Sequence, residues 1–151
     1  MASFRAAVLA VLVAVAAPAA ADPIAASDEQ EAIERDFREE IARILAADNL
    51  DANVLTTRQV AETIRAIPRG QAPDDFWSAY QAHVRAWETS VWAGEKAARL
   101  DGKDPAAAQP AIAAHTEALA AIEATFAEVL RIAESYGVMR PEPPAAASDD
   151  R

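Results

Sequence analysis

The chain has 151 residues, a formal net charge of −10 and no cysteine. Its length suits one domain around one hydrophobic core. The acidity speaks against nucleic acid, which needs a basic stripe, and against anionic lipid surfaces, while it leaves cationic partners open. The absence of thiols excludes disulfides, thiolate zinc sites and covalent haem attachment.

The N-terminus carries one charge, Arg5, followed by an unbroken run of Ala, Val and Leu from Ala6 to Ala17. Pro18 breaks the run and Ala19-Ala20-Ala21 supplies small residues. This is the layout of a secretory signal peptide over residues 1–21, cut after Ala21. The run is shorter than the roughly 20 residues a membrane span needs. The expected location is therefore periplasmic or secreted, with no membrane span after cleavage.

Alanine is abundant, glycine is scarce, and apolar residues recur at three and four. That periodicity predicts an all-α domain over residues 22–140, a compact four-helix bundle of the up-and-down type. The first helix is expected from Asp28 to Ala47, capped by Ser27, with Ile33, Phe37, Ile41 and Ile44 as its stripe. Glu31–Arg35, Glu34–Arg38 and Glu39–Arg43 are spaced for ion pairs on its outer face.

The second helix is expected from Thr57 to Ala66. Thr56 and Gln59 form a capping box, Val60, Ile64 and Ile67 face inward, and Pro68 ends the helix before a turn at residues 69–72. The third runs from about Pro73 to Leu100 and stops at Asp101-Gly102. It carries Phe76, Trp77, Tyr80, Trp87 and Trp92, most of the chain's aromatic residues, which makes it the central helix.

The fourth begins near Pro105 or, by preference, Pro110, and ends at Tyr136 with Gly137 as its C-cap. Ile112, His115, Leu119, Ile122, Phe126, Val129, Ala133 and Tyr136 form its expected seam. Residues 141–151 are Pro, Ala and acidic residues, the composition of a disordered tail.

His83 and His115 are the only histidines, and both fall on apolar faces. Neither has a carboxylate or a second histidine three or four residues away, so the Glu-x-x-His element of di-iron bundles is missing. In an antiparallel hairpin of helices three and four, His83 lies level with a residue between 122 and 128. His115 then sits roughly 10 to 20 Å from that level, too far for a shared mononuclear metal site. Packed structural histidines are the simplest reading; a periplasmic metal or haem carrier using His83 or His115 is the alternative. Tyr80 and Glu40 are the polar partners in reach of His83 on this reading. No metal site or cofactor is assigned.

The third helix supplies the candidate ligand or interaction surface: Trp77, Tyr80, His83, Trp87 and Glu88. Aromatic rings with polar tips suit a pocket between helices, although such stripes more often form core.

Two stretches carry resemblances. Leu55-Thr56-Thr57-Arg58-Gln59 resembles the L-T-x-x-Q motif of Spy-type periplasmic chaperones, which look as if they carry it twice where this chain has it once. The resemblance implies a small helical chaperone with an exposed apolar concave face. The segment Pro73 to Glu88 resembles a P-x-D-F-x-x-A-Y-x-x-H-x-x-A-W-E stretch in a family of small exported bacterial helical proteins, with Ala72 where a Cys is expected. That resemblance implies no activity, but draws attention to His83, Trp87 and Glu88.

No nucleophile elbow, phosphate loop, zincin motif or dinucleotide fingerprint occurs. The leading expectation is an exported non-enzymatic binding or interaction protein with a protein or small-molecule partner. A homodimer would reveal itself as an apolar stripe uncovered in the monomer.

Overall fold

The computed structural model of the chain describes residues 23–51, 54–100 and 103–141. The expected signal peptide, the Asp101-Gly102 stop and the tail from residue 142 onward lie outside the described residues. Those described form an all-α helical bundle: α1 (Pro23–Asp48), α2 (Thr57–Arg65), α3 (Asp74–Leu100) and α4 (Pro105–Ser135). Among them, no helix is long and apolar enough to cross a membrane.

The short α2 is held by its cap. Thr56 accepts from the Gln59 backbone N–H, and the Gln59 side chain accepts from the Thr56 backbone N–H at 2.9 Å. α4 ends in a Schellman motif, with Val138 N–H on the Ala133 carbonyl at 3.0 Å and Gly137 N–H on the Glu134 carbonyl at 2.9 Å. Gly137 takes the left-handed φ of 78° that this motif requires.

Two helix starts differ from expectation. α1 begins at Pro23, so Ser27 lies inside the helix instead of capping it. Proline suits a first turn, and Ile24-Ala25-Ala26 are residues a helix accepts readily. α4 begins at Pro105, where the Asp104 side chain accepts from Ala107 N–H at 3.0 Å. Pro110 therefore sits one turn inside, at the loss of a single backbone bond. On α1, Arg43 turns to Glu40 at 2.5 Å, not to Glu39.

α3 and α4 are antiparallel. Asp75 meets Tyr136, His83 meets Thr125 and Ser90 meets His115, so numbers rise on one helix as they fall on the other. The other two helices cover this hairpin unevenly. At the end holding Tyr136, α1 inserts Ile41, Ile44 and Leu45 and α2 inserts Val60 and Ile64 among Phe76, Tyr80, Val84 and Val129. The Tyr136 ring also stands edge-on to Phe37, 6.2 Å between centroids. At the other end α3 and α4 pack mainly through small residues, with Ala86, Ser90 and Ala93 buried on one and Ala108, Ala111 and Ala118 on the other. A Cβ on Gly94 would lie 3.2 Å from the His115 ring.

This alanine seam corrects two expectations. Ile112 and Leu119, read as seam residues, are 44% and 45% exposed. The close approach of the two helices uses the small residues beside them, which leaves the larger ones on an open flank. Ile33, placed on the α1 stripe, is 40% exposed because α1 meets the core only by its last turns.

The turn between α2 and α3 fixes α1 against them. Arg43 donates to the Pro68 carbonyl at 2.7 Å. Gly70 holds a φ of 55°, and a Cβ there would collide with the Glu40 carboxylate. Glu40, a suggested partner of His83, is thus committed to this turn and to Arg43.

Candidate functional site

Spacings of four, three and four along α3 place Phe76, Tyr80, His83 and Trp87 on one face. Phe76 and Tyr80 are fully buried and stack with ring centroids 6.3 Å apart. Trp77, half-buried, stacks on Tyr80 at 5.6 Å. The Tyr80 hydroxyl faces the Ile64 carbonyl at 3.4 Å, and burial raises its pKa well beyond the usual range. Trp77 and Tyr80 belong to the core. Glu88 lies on the exposed side, 3.8 Å from Arg65. The five expected site residues therefore divide, and only His83 and Trp87 share a cleft.

His83 is 4% exposed, and its two ring nitrogens have distinct tasks. Trp87 Nε1–H donates to Nε2 at 3.1 Å. Thr125 Oγ1 lies 3.1 Å from Nδ1 and itself donates to the Ala121 carbonyl at 2.7 Å. An acceptor at Nε2 with a hydroxyl already donating elsewhere assigns the neutral tautomer with its proton on Nδ1. Burial pushes the His83 pKa down to about 4, opposed by a hydrogen bond to the Ile122 backbone. As a metal ligand, His83 would have to surrender one of these two bonds.

The residue facing His83 is Asp48, the last residue of α1. Its Oδ2 lies 3.8 Å from His83 Nε2, and both side chains are 5% exposed. Oδ2 is buried with no hydrogen-bond partner. Desolvation raises the Asp48 pKa to about 7. The imidazole cannot relieve this acid, because its Nε2 is an acceptor already met by the Trp87 indole.

Asp48 and His83 open onto a cleft of about 200 Å³ with Val60, Trp87, Glu123 and Phe126 among its walls. All four helices contribute. Phe126 also packs against His83, with centroids 5.1 Å apart. The site is an apolar recess with two aromatic walls, one buried carboxyl and one exposed carboxylate at its rim. An unpaired polar atom beside such a recess is a group that a ligand could complete.

His115 belongs to a different place. Its Nδ1 approaches the Ser90 hydroxyl at 3.3 Å and the Ser90 carbonyl at 3.1 Å. It lines a groove beside Arg58 and Glu95, which are ion-paired. The expected pairing level of His83, between residues 122 and 128, is met at Thr125 and Phe126. His115 pairs with Ser90, two turns further along α3, so the histidines do not converge. Among the described residues, no group of three His, Asp or Glu side chains is placed to hold a metal ion.

Asp48, Glu123 and Thr125 are absent from the sequence-based site. An acidic residue at a helix C-terminus, as Asp48 is, opposes the helix dipole and there costs stability, but that mark does not tie it to His83. Glu123 and Thr125 carry no such mark, and they reach the site only through the register of α4 on α3. Compared with protein-family models, curated proteins and solved structures, the chain matches none.

Proposed function

We propose that this is an exported, non-enzymatic binding module whose ligand is a small molecule seated between Asp48, His83 and Trp87. The observation that carries the reading is Asp48 Oδ2, buried without a partner on a residue that lines an apolar cleft. An unsatisfied buried polar atom costs on the order of 1–3 kcal/mol, more for a charged group. A fold keeps it most readily where a bound molecule satisfies it.

The non-enzymatic part rests on His83. Burial holds it neutral with a pKa of about 4, and the Trp87 indole covers its lone pair. Both features weaken it as a general base near neutral pH. Export rests on the Arg5 to Ala21 layout of the leader.

A fragment screen followed by NMR tests the reading. Small amphiphilic compounds are expected to raise the melting temperature and to move the Trp87 indole and His83 ring signals. Hits that move only His115 and its neighbours, or a screen in which the Trp87 and His83 signals stay fixed, would overturn it.

A further inference from the structure

We infer that the ligand of this cleft is a small organic cation, a protonated amine on an apolar or aromatic body, whose N–H groups meet Asp48. The inference rests on the reading of the cleft as a ligand site and adds the chemical class.

With Asp48 ionised, the free polar groups at the cleft are acceptors. Asp48 Oδ2 lacks a donor, and its neighbour His83 Nε2 offers a lone pair, not a proton. Glu123 adds a second carboxylate at the rim. A ligand carboxylate or phosphate would face the Glu123 carboxylate and could meet Asp48 only as the neutral acid, whereas an ammonium supplies up to three donors and pairs with Asp48 ionised.

The walls favour a cation as well. Trp87 and Phe126 present aromatic rings, which attract positive charge through their π faces. Phe126 already does so with a group of the chain itself, as the Arg140 guanidinium sits 5.7 Å from its centroid. The chain's net charge of −10 draws cations toward the surface. At about 200 Å³, the cleft is smaller than the roughly 300–1,000 Å³ typical of sites for drug-sized ligands, so one ring or a short chain fits.

Binding has a proton balance. Asp48, with a pKa raised to about 7, enters the free protein's cleft largely as the neutral acid below that pH. Pairing with an ammonium favours the carboxylate, so one proton leaves Asp48 for solvent. The groups facing Asp48 and the cleft are His83 from α3, Glu123 from α4 and the Tyr80 hydroxyl. Arg43 on α1 acts on Tyr80 together with Asp48.

The test is titration calorimetry of the full chain near pH 6 in buffers of different ionisation enthalpy, with 2-phenylethylammonium, 2-phenylethanol and 3-phenylpropionate as probes. The ammonium is expected to bind about tenfold or more tightly than the alcohol, with proton release, and the carboxylate weakest of the three. Asp48→Asn is expected to remove that preference and the proton release, with a thermal melt confirming the fold. The comparison of probes on the unaltered chain stands even if the variant does not fold. Equal or tighter binding of the alcohol or the carboxylate would overturn the cation inference but leave the cleft a binding site. Ammonium binding without proton release would overturn the role of Asp48. If none of the probes moves the Trp87 and His83 signals, the cation inference and the cleft reading fall together.

Discussion

Burial acts on Asp48 and His83 in the same sense, removing charge from each, and so shifts their pKa values in opposite directions, to about 7 and about 4. In the unfolded chain, between about pH 4 and 6.5, the aspartate is ionised and the histidine protonated, so the two bind one proton. In the folded chain the aspartic acid keeps its proton and the histidine has none, so the two again bind one. Stability changes with pH only through a difference in bound protons, and the pair contributes no slope in this window. Each single variant exposes the other half. With Asp48→Asn, the unfolded state binds one proton more through His83, so stability rises with pH from about 4 to 6.5, by roughly 3 kcal/mol. With His83→Gln, the folded state binds one proton more through Asp48, so stability falls as pH rises from about 4 to 7, by roughly 4 kcal/mol. Denaturant unfolding of the three proteins across this range checks the claim. Parallel profiles would show that folding shifts neither pKa and would contradict the claim.

Among the elements, α1 is the one whose parts differ most. Ile44 is fully buried, while Ile33, three turns earlier on the expected stripe, is 40% exposed. Ile44→Ala should cost about 2–5 kcal/mol through lost transfer energy and a residual cavity. Ile33→Ala should stay within about 1 kcal/mol, as surface substitutions do. Melting temperatures of the two variants compare them directly, and equal losses would place α1 against the hairpin along its whole length. The same elements show what the sequence made legible. α2 was readable because its capping box and Pro68 are local signals. α3 was readable because its aromatic residues recur at helical spacing. The face of α4 was read from its large residues, yet the buried seam at that end runs through Ala108, Ala111 and Ala118, which a hydrophobic pattern does not distinguish from the many other alanines. The site was legible at His83 and Trp87, which lie on a predicted face. Asp48 was not, because its approach to His83 depends on where α1 ends against α3, a tertiary relation that no local pattern encodes.

On the scale of the whole molecule, the cleft lies at the covered end of the bundle. The end of α1 brings Asp48, α2 brings Val60, α3 brings His83 and Trp87, and α4 brings Glu123 and Phe126. Toward the loop between α3 and α4, coverage thins to the start of α2, tied to α3 by the Arg58–Glu95 ion pair. A ligand in the cleft would touch all four helices, and would favour the folded state by mass action. Asp48 is buried, keeps its proton up to about pH 7 and lies beside a neutral histidine. The most direct measurement is an NMR titration of the free protein that follows the Asp48 carboxyl carbon and both His83 ring nitrogens. It should show an Asp48 midpoint near pH 7, and a His83 ring with its proton on Nδ1 and none on Nε2 throughout the neutral range. An Asp48 midpoint near the ordinary 4, or a His83 protonated on both nitrogens at neutral pH, would contradict that state, because the cleft would then hold no group waiting for a ligand.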